Sequence, residues 1–232
     1  MESFIRENIE VIRQKIARAA ERAGRDPKDV LLLAVTKTID NERIREAVDA
    51  GLTELGENKV QEIMDKYDTL ERDVKWHMIG HLQTNKVKYI IDKVTLIHSV
   101  DSLKLAEEIN KKAAKAGKVM DILVEINVAD EESKFGITCD MAEDIIRNLS
   151  TMENIRVRGL MTVAPFVDDG EQNRPVFRRL KQLLVDINAK KLDNVNMDIL
   201  SMGMTGDYEV AVEEGATIVR VGTGIFGPRV YL

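Results

Sequence analysis

Lys37 closes the apolar run LLLAVTK (31–37), and an amine at the end of a buried strand needs a partner or a task. Half desolvated, such an amine has a larger neutral fraction than a lysine in water. A neutral amine is the nucleophile that forms a Schiff base with an aldehyde. The stretch by itself also admits a lysine that snorkels its ammonium into solvent. Arg220 interrupts the apolar residues of IVRVGTGIFG (218–227) and is followed by Gly222, Thr223 and Gly224. An inward guanidinium is always charged and must face an acceptor. A glycine–threonine–glycine loop offers a phosphate close backbone approach, a hydroxyl and an N–H, although glycines also simply cap strands. Upstream, LSMGMTGDYE (200–209) puts Ser201 in phase with Gly203, a second half for the same cradle. Asp207 reads as a helix-starting residue, and Met202 and Met204 as packing residues. Asn58 can donate to and accept from a phenolic or carbonyl oxygen, or cap the helix that follows it. His77 and His81 are separated by a strand end at Gly80, so they are not a helical metal pair, and no metal site is expected.

These groups meet only if the chain carries them to one end of one sheet. Strands are expected near 31–37, 53–57, 75–80, 96–101, 121–128, 157–163, 198–203 and 218–224. Helices are expected between them, near 41–50, 58–72, 83–92, 102–117, 140–150, 171–191 and 206–215. Eight strands of this kind predict an α/β fold, the (β/α)8 or TIM barrel. An open doubly wound sheet is the runner-up. It usually has a glycine-rich loop after strand one, and VTKTIDNE (35–42) contains no glycine. In a barrel, alternate side chains face the interior and chemistry sits at the C-terminal strand ends. Leu31, Leu33, Val35 and Lys37 share one parity, which brings the amine to the mouth. The connection VAPFVDDGEQ (163–172) follows strand six at that same end and is expected to be a functional loop. Ahead of the barrel, Ile5, Ile9, Ile12, Ile16, Ala19 and Ala23 form the stripe of an extra N-terminal helix, stopped by Gly24.

Composition is consistent with one domain over 1–232: 44 % hydrophobic and 32 % charged residues make a soluble globular balance. A net charge of −6 argues against a nucleic-acid surface, and no apolar run is long enough to span a bilayer. Cys139 is the single cysteine, which excludes an internal disulfide and fits the reducing cytoplasm. An amine on strand one, a phosphate cradle on strands seven and eight, and an inward arginine then fit one ligand. It is an aldehyde carrying a phosphate and an acceptor ring nitrogen, pyridoxal 5′-phosphate (PLP).

The chain resembles the pyridoxal-phosphate homeostasis proteins, relatives of the alanine racemase N-terminal barrel. The segments that carry the resemblance are AVTK (34–37), GENKVQE (56–62), WHMIGHLQTNK (76–86), ESKFGI (132–137), RGLMTVAP (158–165), SMGMTGDYE (201–209) and VRVGTGIFGPR (219–229). The resemblance implies that Lys37 forms the Schiff base and Arg220 faces the pyridine nitrogen. It further implies that Ser201, Gly222 and Thr223 hold the phosphate, with Asn58 and His77 lining the ring pocket. Lys59 stands where tyrosine is common, and Thr205 where serine is usual.

An arginine at the ring nitrogen disfavours its protonation and leaves the ring a weaker electron sink. Racemases of the related family, the resemblance implies, add a tyrosine base from an appended β-domain. This chain stops at Leu232, and Tyr67, Tyr89, Tyr208 and Tyr231 are expected in helices or at the terminus, away from the mouth. The expected function is therefore intracellular PLP homeostasis, a monomeric cytoplasmic carrier or buffer without strong catalysis. PLP-dependent apo-enzymes are its expected partners. A PLP-dependent amino-acid racemase is the alternative, and a Schiff-base aldolase a weaker one.

Overall fold

The computed structural model describes residues 4–131 and 135–228. Part of the ESKFGI segment and Tyr231 lie outside the described residues. Eight parallel strands close into a barrel in sequence order: β1 (Leu31–Val35), β2 (Glu54–Glu57), β3 (Lys75–Met78), β4 (Val94–Val100), β5 (Met120–Glu125), β6 (Ile155–Met161), β7 (Val195–Ser201) and β8 (Ile218–Val221). Around them run α1 (Phe4–Arg22), α2 (Asn41–Asp49), α3 (Val60–Tyr67), α4 (Leu103–Lys115), α5 (Ala142–Leu149), α6 (Arg174–Asn188), α7 (Tyr208–Glu213) and α8 (Thr223–Phe226). This is the (β/α)8 barrel that the alternation of strand and helix patterns predicts. No helix among the described residues is long and apolar enough to cross a membrane.

Two periodicities build the core. Along the strands, Leu33, Val35, Ile79, Leu96, Leu123, Met161 and Ile218 pack on one another inside the barrel. The opposite parity, including Leu32, Ala34, Leu55 and Val219, packs against the helix layer. On α1 the buried stripe is Ile5, Ile9, Ile12, Ile16, Ala19 and Ala20, and the helix ends before Gly24, whose φ of 66° lets the chain turn. Each buried isoleucine of that stripe contributes about 1.5–3 kcal/mol, enough to dock a helix that lies outside the eight-fold repeat.

Most element boundaries shift by a few residues from the sequence expectation, and three shifts change the reading. β1 stops at Val35 rather than 37, and Lys37 and Thr38 form a turn in which Thr38 takes a φ of 63°. The helix expected at 83–92 is a 3-10 segment, Thr84–Tyr89, followed by a turn, and Val87, Ile90 and Ile91 of this stretch are buried. β8 ends at Val221, and the loop beyond it winds into α8 with Gly222 at its start.

Closure also imposes a stagger. Leu33 pairs with Arg220 and Leu31 with Ile218, while Ser201, the last residue of β7, pairs with Ile218, the first of β8. Where β6 passes β7, Gly159 has a φ of 154°, and a Cβ there would lie 1.8 Å from the Ile199 carbonyl oxygen. Only glycine allows that approach.

Candidate functional site

At the C-terminal mouth of the barrel a cavity of about 430 Å³ collects residues from β1 and β8 and from the segments after β1, β2, β3, β6, β7 and β8. Lys37, Asn58, Arg220, Gly222 and Thr223 all line it. Five expected site residues, far apart in sequence, therefore share one space.

Lys37 is half-buried, and its turn is held from behind by a buried ionic cluster. Thr36, fully buried, donates through Oγ1 to Glu57 Oε1 at 2.6 Å. Lys66 of α3 donates to the Thr36 carbonyl oxygen at 2.8 Å, to Glu57 Oε1 at 2.8 Å and to Glu62 Oε2 at 3.0 Å. The Thr38 N–H donates to Glu62 Oε2 at 2.7 Å. The residues before and after the lysine are thus tied to the same three charged groups, which stabilise the left-handed Thr38. Burial pushes the Glu57 carboxyl above its ordinary value despite the opposing Lys66. Its Oε2 is the buried side-chain oxygen without a hydrogen-bond partner among the described residues. Burial alone would also raise Glu62, yet the Thr38 N–H and Lys66 hold it below the usual carboxylate range.

Across the cavity, Arg220 is buried and its fork is anchored twice: Nη1 donates to Ser201 Oγ at 2.7 Å and Nη2 to the Thr162 carbonyl oxygen at 2.8 Å. Burial lowers its pKa to about 10, with Glu125 and Asp207 opposing the shift. Glu125, at the C-terminal end of β5, is raised to about 7 by burial; Asp101 adds to the rise and Arg220 opposes it. These two buried groups bias each other across the barrel interior.

Beyond β7 and β8, Thr223 meets residues to which the sequence reading gave no ligand role. Thr205 lines the cavity, and its hydroxyl lies 3.2 Å from that of Thr223 and accepts from the Gly224 N–H at 3.3 Å. Gly206 faces open space, with nothing within 4 Å of where a Cβ would stand. Asp207 stands at the start of α7 without capping it through its side chain. Its carboxylate accepts instead from the Met204 N–H at 2.6 Å and from Asn173 Nδ2 at 2.8 Å, joining the loops after β7 and β6. The loop after β6 supplies an apolar lip of Val163, Pro165, Phe166 and Val167, and Phe166 is 97 % exposed.

Two expected residues are placed elsewhere. Ser201 is fully buried, with its hydroxyl between Arg220 and His98 Nδ1 at 2.9 Å. It does not line the cavity. The barrel stagger is the reason: the end of β7 is level with the beginning of β8, below the mouth. His77 likewise does not line the cavity. Its Nδ1 lies 2.9 Å from His98 Nε2, and its Nε2 lies 2.7 Å from Glu54 Oε2, at the N-terminal end of β2. The sequence reading gave Thr205 no site role and passed over Asn173, His98 and Glu54. Only Thr205 carried a usable signal, a hydroxyl in the small-residue loop GMTG. Among the described residues no tyrosine lines the cavity.

A staggered (β/α)8 barrel with a lysine turn on strand one and hydroxyls beyond strands seven and eight defines a class of barrel. The chain belongs to the alanine racemase N-terminal domain family, whose model matches residues 5–230. It is 46 % identical, over 97 % of its length and 98 % of the relative's, to the pyridoxal phosphate homeostasis protein of Aquifex aeolicus. Its structure is similar to that of an unknown protein from Bifidobacterium adolescentis, at a TM-score of 0.92 and 38 % identity, covering 96 % of this chain and 94 % of that one. It is also similar to PipY of Synechococcus elongatus with PLP bound, at a TM-score of 0.80 and 32 % identity, covering 91 % of this chain and all of that one (100 %).

Proposed function

We propose that this chain binds pyridoxal 5′-phosphate at the barrel mouth, with Lys37 as its covalent anchor, and acts in PLP homeostasis as a carrier or buffer. The observation that carries the reading is the convergence of Lys37, Arg220, Thr205 and Thr223 on one cavity. The donor set fits the cofactor: a primary amine for the aldehyde, a buried cation, an amide at Asn58 and two hydroxyls for a phosphate. The relatives' names, and a PLP-bound relative of the same fold, support the reading.

Bound there, the cofactor supplies an aldehyde that reversibly joins amines. The protein's own groups set how far that chemistry goes. The tied turn holds the half-buried Lys37 amine at the mouth, on the wall of the cavity that the aldehyde would enter. Thr205 and Thr223 bind phosphate oxygens, and Gly206 and Gly222 keep the wall open beside them. Asn58 orients the ring substituents, and Val163, Pro165, Phe166 and Val167 give one side of the cavity an apolar wall. Arg220 is a fixed cation; opposite a ring nitrogen it disfavours protonation there, which favours holding the cofactor over strong carbanion chemistry. Release to PLP-dependent apo-enzymes in the cytoplasm follows from an attachment that amines can reverse.

The test uses purified protein with added PLP. The wild-type protein should turn yellow, and borohydride should fix the adduct on the peptide containing Lys37. Lys37→Ala should lose both signals. A colourless wild-type protein that takes up no added cofactor overturns the reading.

A further inference from the structure

We propose that Glu54, His77, His98 and Ser201 are positioning residues: a single directional hydrogen-bond chain through the barrel interior that fixes the Arg220 guanidinium beneath the cavity. Five groups on five strands stand in sequence: Arg220 Nη1 to Ser201 Oγ at 2.7 Å, Ser201 to His98 Nδ1 at 2.9 Å, His98 Nε2 to His77 Nδ1 at 2.9 Å, and His77 Nε2 to Glu54 Oε2 at 2.7 Å. Lys75, on β3, continues the chain to solvent by donating to Glu54 Oε1 at 2.8 Å.

The two ends dictate the direction. A guanidinium only donates, so Ser201 Oγ accepts at the first contact. An ionised carboxylate only accepts, so His77 donates through Nε2 at the last. Where the proton donated to Glu54 is the one His77 carries, Nδ1 accepts, His98 donates through Nε2 and accepts at Nδ1, and the Ser201 hydroxyl supplies the remaining proton. Every donor points from the cation at the cavity floor toward the anion at the N-terminal face. Both rings are Nε2–H tautomers. The reverse polarity sets two acceptors against each other at Glu54 unless His77 takes a second proton. Burial, with the Arg220 cation adding to it, holds His98 well below the ordinary imidazole range, so that ring is neutral. Bonds aligned this way polarise one another, and together with the Thr162 carbonyl they leave the fork one orientation before any ligand arrives.

The charge that Arg220 offers a cofactor rests on the PLP reading, whereas the chain itself does not, and the experiment separates them. The protein has three histidines, so long-range ¹⁵N–¹H correlation spectra of the cofactor-free protein at neutral pH read each ring. His77 and His98 should both be Nε2–H. Glu54→Leu should flip His98, a ring Glu54 does not touch, to Nδ1–H; Glu54→Gln keeps an acceptor and should preserve the wild-type tautomers. An Nδ1–H tautomer or a second proton on either wild-type ring overturns the chain. A His98 ring indifferent to Glu54→Leu does the same. If Glu54→Leu fails to fold, the wild-type tautomers decide. In the loaded protein, Ser201→Ala should weaken PLP binding about tenfold or more, and unchanged affinity overturns the positioning role. A wild-type protein that takes up no PLP sinks the functional reading and leaves the tautomers to judge the chain.

Discussion

Lys66→Met tests whether the buried cluster behind Lys37 is electrostatic in the way its geometry requires. The Lys66 amine uses its three donors on Thr36, Glu57 and Glu62, and Glu57 is fully buried. Methionine keeps the unbranched stem but leaves the Glu57 carboxylate with the Thr36 hydroxyl alone. Removing one partner of a buried pair destabilises by about 3–5 kcal/mol. For a chain of this size that is a melting point lower by roughly 6–20 °C. The deficit depends on pH, with a definite sign. The Glu57 carboxyl is already raised in the folded state, and losing Lys66 raises it further. A group raised on folding stabilises fully below its unfolded value, and that stability is lost as pH rises through the folded value. The variant should therefore come closest to the wild-type protein near pH 5 and fall away toward pH 8, by at most about 1.4 kcal/mol per pH unit. Urea unfolding at several pH values measures this. Glu57→Gln combined with Lys66→Met removes the stranded charge and should recover much of the loss at pH 8. A deficit equal at every pH, or a double variant no better than the single one, refutes the reasoning.

Glu125→Gln should show the same sign by another route. With Glu125 raised to about 7, the wild-type protein gives up on the order of 3 kcal/mol between acid and pH 8 that the amide does not, so parallel stability profiles would count against it. Gly80→Ala would place a Cβ 2.5 Å from the Asn58 carbonyl oxygen and 2.7 Å from its Cα. PLP titrated by absorbance should bind that variant about tenfold or more weakly, and an unchanged affinity would remove Asn58 from the site. Asp207→Ala breaks the bonds to Met204 and Asn173 that join two mouth loops. It should cost about 2–4 kcal/mol of stability in denaturant and reduce competition by inorganic phosphate for PLP; a silent substitution would show that the loops hold themselves.

Much of this was legible in the chain. Apolar alternation is local, so the eight strands, the N-terminal helix stripe and the inward parity of Lys37 and Arg220 could be read from neighbouring residues alone. Chemistry with a distinctive local setting was also visible, as with an amine ending a buried strand or a guanidinium inside an apolar one. Parity, however, says only that a side chain faces inward. It does not say how far below the mouth. Ser201 was placed at the mouth on its phase with Gly203, and His77 by resemblance; neither lines the cavity, because depth is set by the stagger that barrel closure imposes between strands. The same closure brings Glu54, His77, His98, Ser201 and Arg220 into hydrogen-bonding sequence, although no two of them are closer than 19 residues along the chain. The ionic clamp behind Lys37 likewise needed α3 folded back against β1. Single-residue spacing along a strand is short-range physics and is written in the sequence; axial position inside a closed sheet depends on all eight strands at once, and only the tertiary structure fixes it.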